Sequence, residues 1–125
     1  MFQEILRDLV ESSGAEGALF LDESGEMIEL SCDGMNPHDV RLLGAYMGIY
    51  LRQLQRFLDE PTYGELQDFL VESRRRFLFC RPLVDGYSVV LVQSAPALRN
   101  RTRHALRVAA QRLIEEMTGE AVQVD

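Results

Sequence analysis

Apolar positions along the chain follow two rhythms, and their order predicts three helices and five strands. Phe2, Ile5, Leu6, Leu9 and Val10 recur at helical spacing, with Glu4, Asp8 and Glu11 on the opposite side and Gly14 as a stop. Residues 2–13 are therefore predicted as an amphipathic helix. The apolar runs 17–22 and 27–32 flank Glu23-Ser24-Gly25-Glu26, the arrangement of a β-hairpin around a glycine-bearing turn. Asn36 and Pro37 then form a helix start, because an asparagine side chain can cap free N–H groups and proline suits the first helical position. Asp39 adds a favourable negative charge to the first turn, and the helix is expected to run to about Leu58, closed by Asp59-Glu60-Pro61. Residues 66–72, 77–81 and 87–93 read as strands, joined by connections (73–76 and 82–86) short enough for antiparallel neighbours. Leu66 to Leu70 also fits a helical turn. Pro96 opens a last helix to about Met117, with Leu98, Thr102, Leu106, Ala109, Leu113 and Met117 on one face and Gly119 beyond its end.

The predicted order is α-β-β-α-β-β-β-α, with no linker, repeat or low-complexity stretch. It describes a single α+β domain over 1–125, a five-stranded antiparallel sheet packed by three helices, with a short tail at 118–125.

The middle helix carries more apolar surface than one sheet face needs. Val40, Leu43, Met47, Tyr50, Leu51, Leu54 and Leu58 make one stripe, expected to cover the sheet. Leu42, Ala45, Tyr46 and Ile49 make a second, and no residue from Leu42 to Leu51 is charged. A helix apolar all round is buried all round. Either a loop or another helix of the same chain covers the second stripe, or a partner does. Contiguous exposed apolar patches mark interaction sites, and a twofold dimer lets the stripe pack on its own copy. Gly44 and Gly48, four apart, suggest a narrow strip where another backbone approaches. Pairing of edge strands, with 66–72 as the edge, would extend the sheet across the dimer and hide an unpaired ladder. The expected interface is Leu42, Ala45, Tyr46, Ile49 and Gln53 on the helix, with Phe69 and Val71 on the edge strand.

Charge and composition narrow the function classes. The net charge is −7 and the pI about 4.8, which argues against a general nucleic-acid or anionic-membrane binder. All thirteen basic residues are arginine, which fits the coding bias of a GC-rich genome. Residues 1–35 hold nine acids against Arg7 alone, while 74–125 hold nine arginines against five acids. Cys32 and Cys80, with no CxxC spacing and no adjacent histidine, fit a reducing compartment and no zinc site. The first twelve residues are charged throughout, unlike a signal or transit peptide, and no apolar run approaches the roughly 20 residues of a membrane span. A cytoplasmic location is expected.

Catalytic chemistry finds no foothold. No nucleophile elbow, phosphate loop, metal-ligand run or dinucleotide fingerprint is present. His38 and His104 read as surface residues, Cys80 as core and Cys32 as half-buried. No cofactor, metal or enzymatic activity is expected. The arginines offer more. Arg74, Arg75 and Arg76 occupy a turn, either simply solvated or facing an acidic partner. Arg99, Arg103 and Arg107 recur at i, i+4 and i+8 on the last helix and could face Glu4, Asp8 and Glu11 of the first, setting register or partner choice.

The stretch Val71-Glu72-Ser73 through Phe77-Leu78-Phe79-Cys80-Arg81-Pro82-Leu83-Val84-Asp85-Gly86-Tyr87-Ser88-Val89-Val90-Leu91-Val92 resembles the roadblock (dynein light chain) family. That family has a short strand, a turn, a strand ending in P-L, then D-G-Y and a further strand. Residues 17–22 with Ser24-Gly25 are similar to its first hairpin, and the resemblance covers about residues 2–117. It implies dimers joined sheet edge to sheet edge, with paired middle helices forming a platform for Ras-like small GTPases. The style is that of the bacterial MglB/MglC-like members, which regulate a polarity GTPase of gliding motility. Two departures are visible: Pro96-Ala97-Leu98-Arg99-Asn100-Arg101 opens the last helix where the family has a small residue, and long charged tails are missing. They weaken the expectation of direct GTPase activation more than that of dimerisation, and the sequence does not distinguish an activator from a scaffold.

The expectation is thus a non-catalytic homodimeric module that binds a Ras-like small GTPase or another roadblock protein. The alternative is an acidic, dimeric secretion chaperone, whose order would be α-β-β-β-α-β-β-α. A ligand-sensing domain would need a polar-lined cavity that the sequence does not suggest.

Overall fold

In the computed structural model, residues 1–58, 60–94 and 99–120 are described. The elements are α1 (Phe2–Ser13), β1 (Gly17–Leu21), β2 (Met27–Cys32), α2 (Pro37–Leu58), β3 (Phe69–Glu72), β4 (Arg76–Pro82), β5 (Ser88–Ser94) and α3 (Arg99–Thr118). The order is the expected one. All four strand pairs are antiparallel and the sheet order is β2-β1-β5-β4-β3, so β2 and β3 are the edges.

Local chemistry places the boundaries. Gly14 ends α1 in the left-handed region at φ 73°, and its N–H donates to the Val10 carbonyl. Asn36 caps α2 as expected, its Oδ1 accepting from the His38 N–H at 2.8 Å. In the first hairpin, Asp22 Oδ1 accepts from the Ser24 N–H (2.9 Å), the Ser24 hydroxyl (2.6 Å) and the Glu26 N–H (2.9 Å). One carboxylate thus stands in for the missing ladder partners of the turn. The Asp85-Gly86 turn between β4 and β5 places both residues at positive φ, which a D-G pair tolerates at little cost.

The sheet is a filling between helices. α1 and α3 pack side by side on one face, where Ile5, Leu6, Leu9, Phe20, Phe79, Leu91, Leu106 and Leu113 form the larger core. Burying a leucine there stabilises by about 2 kcal/mol. α2 lies alone on the other face over Leu19, Leu21, Cys80 and Val90. Because both faces are covered, β1 is buried at every position and β5 at all but its last. Gln93 in β5 ties the larger core together. Its amide donates to the Ser13 carbonyl (2.7 Å) and its oxygen accepts from the Thr102 hydroxyl (2.6 Å), so a buried polar group is satisfied by both helices.

Several expectations are corrected. The strand predicted from residue 66 begins at Phe69; Leu66 packs against the α2-side core without joining a ladder. Arg76, predicted in the turn, is the first residue of β4, and Pro82 is its last. The start predicted at Pro96, with Leu98 and the stop residue Asp59, lies outside the described residues.

Candidate functional site

One helix cannot cover five strands, and α2 sits off centre. It lies mainly over β1 and β2, reaches β5 and β4 less, and leaves the β3 end of its sheet face open. The fully buried arc of the helix is Val40, Gly44, Met47, Gly48 and Leu51. Gly44 and Gly48 explain how close it comes. A Cβ built on Gly44 would stand 3.0 and 3.1 Å from the Leu19 methyls, and one on Gly48 3.6 Å from the Gly25 Cα. The glycine strip therefore serves the chain's own sheet and its first hairpin turn, not a partner's backbone, which corrects the expectation for it.

The rest of the helix is exposed and largely apolar. Leu42 is 50% exposed, Tyr46 52% and Ile49 41%, with Ala45 and Gln53 exposed beside them. Tyr50, expected on the sheet, is 48% exposed and belongs to this outer arc; Leu43 and Leu54 are half-buried at its border. Phe57 extends the arc, its ring stacked on Tyr63 at 6.2 Å. The arc continues onto the edge strand. Phe69 and Val71 lie opposite Cys80 and Leu78, on the same sheet face as α2, Phe69 half-buried and Val71 exposed. A groove of about 430 Å³ runs between helix and strand, lined by Tyr50, Gln53, Leu54, Phe69, Leu70 and Val71. β3 has no strand on its outer side among the described residues. Apolar arc, groove and free edge form one continuous surface.

The candidate charge contacts separate into two groups. Arg74 and Arg75 are exposed at the tip of the β3–β4 turn, which Ser73 closes by donating its N–H to the Arg76 carbonyl (2.8 Å). Arg76 is engaged inside the chain, its guanidinium 3.1 Å from Glu16. Arg103 is also engaged, 3.3 Å from Asp68 and over the Phe79 ring at 6.0 Å. Arg107 is half-buried on α3, and the side chain of Arg99 lies outside the described part of the molecule. The pairing expected between these arginines and α1 is made by others. Asp8 meets Arg112 at 2.9 Å, and Arg101 donates to the Ser12 carbonyl at 3.0 Å. Arg101 and Arg112 lie on the α1 side of α3, and 3.6-residue periodicity alone does not say which arginine flank faces α1.

Asp68 is the residue that sequence reasoning missed. Only 14% of its side chain is exposed, and it accepts from Arg81 (3.4 Å) and Arg103 (3.3 Å). Two arginines far apart in the sequence give no local signal that they share one carboxylate.

His38 and His104 are exposed, Cys32 is half-buried and Cys80 buried. Burial, then the Asp68 charge, pushes the Cys80 thiol up to about 12, so it stays protonated and unreactive at neutral pH. Among the described residues, no group of three metal-ligating side chains is placed to hold an ion, and no helix is long and apolar enough to cross a membrane.

No protein-family model matches the sequence, and no curated protein matches it. Solved structures do. Myxococcus xanthus MglB superposes with a TM-score of 0.77 at 13% identity, over 95% of this chain and 96% of that one. A Roadblock/LC7 domain from Streptomyces avermitilis gives 0.77 at 15% identity, over 92% and 96%. MglC from Myxococcus xanthus gives 0.68 at 20% identity, over 92% and 98%.

Proposed function

We propose that this chain, which has the roadblock fold, is a non-catalytic cytoplasmic module that pairs with its own copy. We infer that it binds a Ras-like small GTPase or another roadblock protein, in the control of motility or polarity. The observation that carries the pairing is the continuous surface of α2 and β3. An off-centre helix exposes an apolar arc beside a free strand edge. A second copy placed there by a twofold axis would cover the open end of the sheet and pair the edge in one step. Leu42, Ala45, Tyr46, Ile49, Gln53, Phe69 and Val71 are its proposed contacts, with Tyr50 and Phe57 added from their exposure.

The partner reading is supported by the likeness to MglB and MglC. The element order also differs from the one expected of a secretion chaperone. A scaffold is favoured over an activator. Of the candidate charge contacts, Arg76 and Arg103 are occupied within the chain, while Arg74 and Arg75 are exposed and open to an acidic partner surface. The test is a pull-down with the host's Ras-like GTPases loaded with GDP or with GTP, followed by a hydrolysis assay. Retention of a GTPase or a roadblock protein by the wild type, weakened by Arg74→Glu with Arg75→Glu, is expected. Retention of neither contradicts the reading.

A further inference from the structure

We infer that Asp68 is the positioning residue that holds β3 in place as an interaction edge, by bridging β4 and α3 through two guanidinium groups. The inference rests on the reading of β3 as part of the pairing surface. β3 is the shortest strand of the sheet, with four residues, and as an edge it has one neighbour. Its first residue, Phe69, pairs with Cys80, so Asp68 and Arg81 face each other just before the ladder begins. There the Asp68 carboxylate meets Arg81 at 3.4 Å and, from the helix packed on that face, Arg103 at 3.3 Å.

The site is set up for this role. Arg81 and Asp68 are mostly shielded, at 18% and 14% side-chain exposure, so their attraction is screened less than that of a surface pair. Among the described residues the Arg103 Nε is buried without a hydrogen-bond partner, although 42% of the side chain stays exposed, and its guanidinium is held by Asp68 and lies over the Phe79 ring. Removing the carboxylate would leave the shielded Arg81 and the half-exposed Arg103 without it and release the start of the strand. α3, on the face away from the pairing surface, would thereby set the position of the edge.

The test compares Asp68→Asn, Asp68→Glu and Arg103→Gln, each in the wild-type chain and alongside Tyr46→Glu, which is expected to be monomeric. Sedimentation equilibrium gives the dissociation constant, and amide hydrogen exchange follows residues 69–72 against 88–94. Asp68→Asn is expected to weaken self-association about tenfold, and to speed exchange in β3 in both backgrounds while β5 stays protected. Arg103→Gln should do the same, a chain carrying both Asp68→Asn and Arg103→Gln no more than either alone, and Asp68→Glu should restore most of the loss. Unchanged β3 exchange in Asp68→Asn overturns the inference, as does an Arg103→Gln chain that behaves as wild type. A monomeric wild type would sink the pairing reading, and β3 exchange in that same chain would still decide the role of Asp68.

Discussion

At Gly44 the absence of a side chain decides how closely α2 lies on β1. A valine there would place its Cβ 3.0 Å from a methyl of the fully buried Leu19, with two further methyls to accommodate. Overpacking of this kind costs about 2 kcal/mol. Gly44→Val should therefore lower the urea midpoint by that equivalent, and an unchanged midpoint would show that α2 is not seated against Leu19. Asp22 makes a different residue-scale contribution. The Ser24 hydroxyl is the largest cause holding its carboxyl below the ordinary 3.8; desolvation opposes it, and the Glu26, Ser24 and Gly25 N–H groups add to the lowering. A carboxyl depressed in the folded state stabilises above the unfolded value and stops doing so as pH falls through the folded one. The urea midpoint of Asp22→Ala should lie below that of the wild type at neutral pH, and the gap should close below pH 3.8. A gap that persists in acid would mean the carboxylate charge is not what closes the turn. The glycine spacing was legible in the sequence, but its direction was not. Gly44 and Gly48 lie in the buried arc with Val40, Met47 and Leu51, and their spacing alone does not say whether the close approach is to the chain's own sheet or to a partner.

At the scale of elements, α2 divides into two faces that fail differently. Met47 is fully buried against the sheet, whereas Ile49 points outward. Met47→Ala should cost about 3 kcal/mol of unfolding free energy at any protein concentration. Ile49→Ala should leave the unfolding of the isolated chain nearly unchanged and weaken association instead. Equal losses of unfolding free energy from both would contradict the two-faced helix. The helix, its cap and the hairpins were readable because each rests on contiguous residues: Asn36-Pro37, Asp22 to Gly25, Asp85-Gly86. The start of β3 was not. Leu66 stands just ahead of the apolar run Phe69 to Val71, yet its side chain is taken by the core under α2, and the ladder waits for Phe69 opposite Cys80. An edge strand has one neighbour to enforce its register, so local pattern overstates its length. Tyr50 was misplaced for a related reason. It falls at the rim of the sheet-facing stripe, and an off-centre helix leaves that rim uncovered.

At the scale of the molecule, the arrangement follows from counting layers. Two helices cover one sheet face fully and one helix covers the other in part, so unsatisfied apolar surface collects where α2 ends and β3 begins. The surplus was visible in the sequence as an uncharged stretch from Leu42 to Leu51. That it adjoins a free edge required the strand order, which no local pattern encodes. The distribution of charge was legible as a total and not as pairs, since Asp8–Arg112 and Asp68–Arg103 join residues distant in the chain.

The central claim is that this surface closes on a second copy. Sedimentation equilibrium of the wild type and of Tyr46→Glu, at micromolar concentration, tests it most directly. Pairing on this surface predicts a wild-type mass of twice the 14.3 kDa chain, and a folded Tyr46→Glu chain at the single mass. A wild type that sediments at 14.3 kDa across the accessible concentrations, or a Tyr46→Glu chain that pairs as tightly as the wild type, would contradict it.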